Sequence, residues 1–331
     1  DMPAVGVGVS PFFGNNFAPA IVDLTINYTT TQFTFRFKLP STKTVKLHWG
    51  DGTSEEVVGQ GGTLIVKTSS YSSAGTYNFW LSGDDKDITY ISLGSQAFVS
   101  GDISGWSVLT SFTTLNCYNT NVEFNSTPAW SVNSCTIRMQ NCSWTSTMVD
   151  NAIASLKTCT NCTIDISGNN AHRTAASNDD LNTLLANGNT ITLNDVLGAE
   201  MITDGDMSAG TNWDVTDASW SIAAGVATYD DANDGHSINQ TDGNMVSSIE
   251  TDTVYRAEFK TDASGGTARL SLTNYAEDVE YLAADDYDDD THVRYFETPS
   301  GISGGGIAIK AYTAGDGFDL DDVSLKKVTL T

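Results

Sequence analysis

The stretch "VKLHWGDGTSEEVV", residues 45–58, decides how the first part of the chain folds. Val45, Leu47 and Trp49 alternate with Lys46 and His48, and Val57 and Val58 follow the turn. Alternation at period two turns one face of each segment inward, so the stretch predicts two strands joined by a reversal. Gly50-Asp51-Gly52 supplies residues that tolerate positive φ, and the Asp side chain can bond nearby backbone amides. Read as a catalytic pair, Asp51 with Glu55 or Glu56 lacks a partner that would raise one pKa. The hairpin is therefore the reading adopted.

Working outward, "TQFTFRFKLP" alternates Phe33, Phe35, Phe37 and Leu39, and "YSSAGTYNFWLSG" alternates Tyr77, Phe79 and Leu81 behind a Gly-containing turn. Residues 21–81 thus predict a small antiparallel sandwich. "WGDGTSEEV" followed by "SYSSAGTYNFWLSG" resembles the polycystic-kidney-disease (PKD) repeat. That resemblance implies an immunoglobulin-like spacer or adhesion module without catalysis.

Between residues 88 and 195 the sequence echoes itself. Apolar pairs recur at Ile91/Leu93, Leu115/Cys117, Ile137/Met139 and Ile164/Ile166, spaced within the range of leucine-rich repeats. In such a ladder each repeat gives one short strand and a polar turn, here with Asn119, Asn141 and Asn169. "TMVDNAIASLKT" and "SNDDLNTLLANG" predict short helices near 147–157 and 178–187, the second with Ser177 or Asn178 as cap and Gly188 as stop. The region resembles the irregular leucine-rich repeats found behind PKD-like modules in bacteriophage tail-fibre-like virion proteins, and bacterial surface proteins use the same parts. All five cysteines, Cys117, Cys135, Cys142, Cys159 and Cys162, fall in this ladder. "CTNC" at 159–162 has metal or redox spacing but no second pair at similar spacing. Cys135 and Cys162 occupy equivalent rungs, and the sequence leaves open whether they are thiols or a disulfide.

From residue 199 short strands recur, at Trp220/Ile222, Tyr255/Ala257/Phe259, Leu270/Leu272, Ile307/Ile309 and Phe318/Leu320, punctuated by Gly and Asp as in a jelly roll. "TDGDMSAGTNW" and "DLDDVSL" resemble the opening and closing motifs of carbohydrate-binding modules of the galactose-binding-like superfamily. The resemblance implies a calcium ion shared by the first turn and the last strand, with Asp206 and one of Asp321 or Asp322 as ligands and backbone carbonyls completing the oxygen cage, and it departs at Asp204, where the family often has Asn. "YDDANDGH", 229–236, lacks the bidentate glutamate of an EF-hand, and "AADDYDDDTH", 283–292, reads as a solvated loop. Sugar binding needs flat aromatic faces beside polar groups. Trp213, Tyr229, His236 and Tyr275 are the candidates, and Trp220 and Tyr229 also suit core positions.

Composition bounds the function. The 331 residues carry 41 acidic against 16 basic side chains, a formal charge of −25, and from Glu200 onward the count is 26 acids to 7 Lys plus Arg. Such a field repels phosphate backbones, which argues against nucleic acid. No apolar run approaches the roughly 20 residues needed to span a bilayer, so no membrane insertion is expected. "DMPAVGVGVSPFFGNNF" lacks the basic start of a signal peptide, and whether a leader preceded Asp1 is left open. The four histidines form no triad or metal triplet with neighbours in sequence, and no nucleotide or nucleophile-elbow motif appears.

The expectation is a mainly β, non-enzymatic chain. Its parts are an attachment segment at 1–18 for other virion proteins, a PKD-like sandwich at 19–85, a leucine-rich-repeat-like solenoid with short helices at 86–198, and a jelly roll at 199–331. The expected setting is a phage virion surface and the expected ligand a host-surface glycan. The alternative is a secreted or cell-surface bacterial adhesin, or the accessory region of a polysaccharide-degrading system. Oligomeric state is left open, a homo-oligomer included.

Overall fold

The computed structural model describes residues 22–28, 32–215, 218–230, 235–264, 266–312 and 317–330, so the proposed attachment segment at 1–18 lies outside the described residues. Among the described residues the chain is mainly β, with four sheets. The opening hairpin forms: Thr44–His48 pairs antiparallel with Ser54–Val58. Gly50 and Gly52 take φ of 88° and 90°. Asp51 Oδ1 accepts from the Thr53 amide at 2.9 Å and from its hydroxyl, so the carboxylate is a turn cap.

The first sheet runs in the order Asn121–Glu123, Val99–Asp102, Asp23–Tyr28, Gly75–Gly83, Thr44–His48, Ser54–Val58. The second runs Thr190–Thr192, Thr163–Asp165, Thr136–Arg138, Thr114–Asn116, Tyr90–Ser92, Phe33–Lys38, Ile65–Ser69. Both sheets cross residue 85, where the sequence suggested a boundary. Phe33–Lys38 pairs with Tyr90–Ser92, and Asp23–Tyr28 pairs with Val99–Asp102. One apolar core accordingly extends from Val22 to Leu184. The physical reason is edge coverage: strands of the sandwich hydrogen-bond to the first rungs of the ladder instead of facing solvent.

The ladder is parallel and in register, Ile91, Leu115, Ile137, Ile164 and Ile191 lying opposite one another on successive strands. Asn119 and Asn141 turn the chain with positive φ. Two further asparagines, both buried, satisfy the backbone between rungs. Asn170 accepts from the amides of Cys142 and Trp144 and donates to the carbonyls of Met139 and Ile166. Asn189 does the same work for Cys162, Cys159 and Leu184. Two helices back the ladder, α1 (Ser146–Leu156) and α2 (Asn178–Ala186), with Ser177 at the N-cap position of α2 and Gly188 at φ 73° beyond its end.

The acidic third is a sandwich with its own core from Met201 to Leu325. Its third sheet is ordered Trp220–Ala223, Val226–Tyr229, Phe318–Thr329, Val254–Asp262, Thr291–Glu297, and Val196–Glu200 also pairs with Phe318–Thr329. The fourth is ordered Asp214–Val215, Ser237–Gln240, Ile307–Tyr312, Ala268–Asn274, Glu280–Tyr287. All pairings in both are antiparallel, and the two sheets enclose one layer of apolar side chains, the jelly-roll arrangement. The helix α2 docks on the strand Thr291–Glu297. The Asn182 amide group donates to the Tyr295 carbonyl at 2.8 Å and accepts from its amide at 2.7 Å, occupying that strand's open side.

Candidate binding surface

The residues nominated from sequence separate into core and surface. Trp213 and Tyr229 are buried, so neither offers a face to a sugar. The Trp213 indole donates to the Asp204 carbonyl at 2.9 Å, and the Tyr229 ring packs against Trp220 and Phe318. Their size fills the sandwich, which is why strand aromatics of this kind are more often core. His236 is half-buried: its Nδ1 lies 3.2 Å from the Ser219 hydroxyl, and its carbonyl accepts from the Trp220 indole. Tyr275 alone of the four is exposed, at 38%.

The expected meeting of the first turn and the last strand is present in the backbone, where the Val323 amide donates to the Gly205 carbonyl at 2.8 Å. The side chains, however, fit turn capping. Asp204 accepts from the amides of Ala209 and Gly210 at 2.9 and 2.8 Å, Asp206 from the Ser208 amide at 3.2 Å, and Asp321 from the Asp322 amide at 2.7 Å. Hydrogen bonds from Ser208 hold the Asp206 carboxyl below its ordinary pKa. Asp322 adopts φ 51°. Among the described residues no three His, Cys, Asp or Glu side chains converge on a point where a metal ion could sit. The calcium set that the resemblance implies is smaller, Asp206 with Asp321 or Asp322 and backbone carbonyls, and here Asp206 and Asp321 each accept a hydrogen bond from a nearby backbone amide.

The cysteines are all buried. Burial pushes the Cys117 and Cys142 thiols up, and the Cys159 thiol up to about 11. Thr136 and Thr163 are register partners, which sets Cys135 and Cys162 on adjacent rungs with their sulfurs 2.7 Å apart.

The candidate ligand surface is the side of the fourth sheet that turns away from the core. Ile238, Leu270, Leu272 and Ile309 point into the core, so alternation turns Ser237, Asn239, Arg269, Ser271, Thr273, Lys310 and Tyr312 outward. Tyr275 continues the same row as Ser271 and Thr273, its amide bonded to the Gly306 carbonyl at 3.1 Å. Hydrogen-bonding groups are therefore ranged across neighbouring strands, with Ser237 opposite Lys310 and Lys310 opposite Ser271. Glu277 ties two of these together, accepting from the Ser237 hydroxyl and pairing with Lys310 at 3.1 Å. The Ser271 and Tyr312 hydroxyls lie 3.4 Å apart, and Arg269 pairs with Asp286 at 3.0 Å. Four of these side chains are nonetheless covered: Ser237, Asn239, Ser271 and Thr273 are no more than 6% exposed. The Asn239 Oδ1 is buried with no hydrogen-bond partner among the described residues. Sequence reading missed it because "SINQ" offers one apolar residue and no alternation long enough to call a strand.

No protein-family model matches the chain, and no curated protein matches it. Solved structures to which it is similar include the N-terminal cellulose-binding domain of β-1,4-glucanase C from Cellulomonas fimi. That match has 18% identity and covers 39% of this chain and 97% of that one, with a TM-score of 0.28. The C-terminal family 6 carbohydrate-binding module of a marine laminarinase from Zobellia galactanivorans matches at 10% identity, 40% and 100% coverage and a TM-score of 0.27. A family 61 carbohydrate-binding module in complex with β-1,4-galactotriose matches at 16% identity, 39% and 99% coverage and a TM-score of 0.27. The sandwich is defined by its own strand pairing.

Proposed function

We propose that the chain is a non-enzymatic glycan-binding protein of a phage virion surface, and that the outward face of its fourth sheet contacts the sugar. The observation that carries the binding reading is Tyr275, the one nominated aromatic that is exposed, in the row that Ser271 and Thr273 begin. Across Ala308 from Thr273, the Asn239 amide oxygen is buried and unpaired among the described residues, which costs stability, and a ligand hydroxyl would satisfy it by displacing the side chains that cover it. Tyr275 supplies an exposed ring for stacking, and Glu277, Lys310 and Tyr312 supply acceptors and donors for further hydroxyls. The acidic field around the jelly roll repels polyanions and favours an uncharged ligand.

The virion setting is supported by the resemblance of the first two regions to parts of phage tail-fibre-like proteins, with residues 1–18 as the segment that joins other virion proteins. Two experiments test the reading. Mass spectrometry of purified particles should find the chain, whereas a gene neighbourhood of polysaccharide-utilisation genes would transfer it to a cellular adhesin or enzyme accessory region. A glycan array probed with the full chain should give hits that Tyr275→Ala and Asn239→Ala weaken, and a blank array would remove the glycan function in either setting.

A further inference from the structure

Six of the seven tryptophans are no more than 6% exposed, and the seventh, Trp80, is 37% exposed on the outward face of the first sheet. Its indole is stacked on the His48 ring, centroids 3.4 Å apart and planes 5° from parallel. The two are cross-strand partners, and the same rung continues to Asp23 on one side and Ser54 on the other. The next rung carries Ser82, Lys46 and Glu56. His48 Nε2 lies 3.0 Å from the Ser82 hydroxyl, which fixes the imidazole in the plane that faces the indole. Burial, and then the charge of Lys46, lower the His48 pKa, which favours the uncharged ring. The result is a rigid aromatic surface edged by a carboxylate and hydroxyls.

We infer that the Trp80–His48 pair is a second ligand platform, separate from the jelly roll, that binds a pyranose ring of an uncharged glycan by stacking. A sugar presents C–H bonds on its flat face and hydroxyls at its rim, which matches an aromatic surface bordered by Asp23 and Ser54. Because both rings are already held in place, little side-chain freedom is lost on binding. A nucleobase could stack equally well, but its phosphates would meet Asp23, Glu56 and a chain of net charge −25. A protein partner would need an apolar surround, and the side chains on this rung and the next are polar.

The inference goes beyond the fourth-sheet reading and fails or stands separately from it. The full chain is applied to an array of uncharged polysaccharides (β-glucan, xylan, galactan) and acidic ones (alginate, polygalacturonate). Trp80→Ala should reduce binding to at least one uncharged polysaccharide fivefold or more, and His48→Ala should reduce it in the same direction with an unchanged melting temperature. Asn239→Ala should leave this Trp80-dependent component in place. In the native full chain N-bromosuccinimide should oxidise Trp80 ahead of the buried tryptophans, and the bound polysaccharide should protect it. Binding unaltered by Trp80→Ala, binding to polyanions alone, no binding at all, or oxidation of Trp80 undiminished by the polysaccharide would each overturn the inference.

Discussion

Replacing Asn239 by alanine separates a ligand-binding amide from a structural one. Among the described residues its Oδ1 has no partner to lose. The unsatisfied, buried oxygen costs about 1–3 kcal/mol, and truncation removes that cost while giving up roughly 1 kcal/mol of side-chain packing. The expected net change is thus about 0–2 kcal/mol in favour of the folded state, a midpoint unchanged or raised by a few degrees. Binding should move the other way. Loss of one hydrogen bond to a ligand hydroxyl, worth about 0.5–1.5 kcal/mol, lowers affinity roughly 2- to 12-fold. Scanning calorimetry of the full chain gives the first quantity and titration with an array hit gives the second. Stability bought at the expense of binding is the signature of a functional site. A midpoint that falls by the equivalent of more than about 1 kcal/mol would refute the reasoning, because it would show that the amide serves the fold.

Other residues give sharper structural tests. Asn170→Ala strips partners from two amides and two carbonyls between rungs and should cost about 3 kcal/mol or more, read as a lower urea midpoint; a loss under about 1 kcal/mol would mean that the backbone repairs itself. The five buried cysteines should resist a thiol reagent in the native chain and titrate as five thiols in denaturant, whereas three would show Cys135 and Cys162 joined. Melting in millimolar CaCl₂ and in chelator at matched ionic strength tests the calcium expectation: a rise in CaCl₂ that Asp206→Ala abolishes would establish the cation site, and coincident melting would leave Asp206 and Asp321 as turn caps. Hydrogen bonds from Asn274 and Ser303 depress the Asp278 pKa below its ordinary 3.8, so the stabilisation is full above that value and is lost as pH falls through the folded-state pKa. Asp278→Asn should flatten the acid limb of a melting-temperature profile, and an unchanged limb would assign it to other carboxylates.

Local features were legible where turn chemistry and period spoke together. Gly50-Asp51-Gly52 announced the hairpin, and the repeated apolar pairs announced the ladder. The fusion of sandwich and ladder was not legible, because it rests on pairings between Phe33–Lys38 and Tyr90–Ser92 that no local pattern encodes. Trp213 and Tyr229 were nominated by residue type, which does not say which way a ring points. Trp80 shows the converse. The alternation that marks Phe79 and Leu81 as core also turns Trp80 outward, so its exposure was written in "YNFWLSG". Asn239 required the structure, since a missing partner is a property of packing alone.

The most direct test of glycan binding is affinity electrophoresis of the full chain through native gels containing one dissolved polysaccharide at a time, with Asn239→Ala, Tyr275→Ala and the double variant run beside it. The account predicts that at least one uncharged polysaccharide retards the wild-type chain, and that each substitution restores part of the mobility. Equal mobility of all four proteins in every gel, with and without polysaccharide, would contradict it.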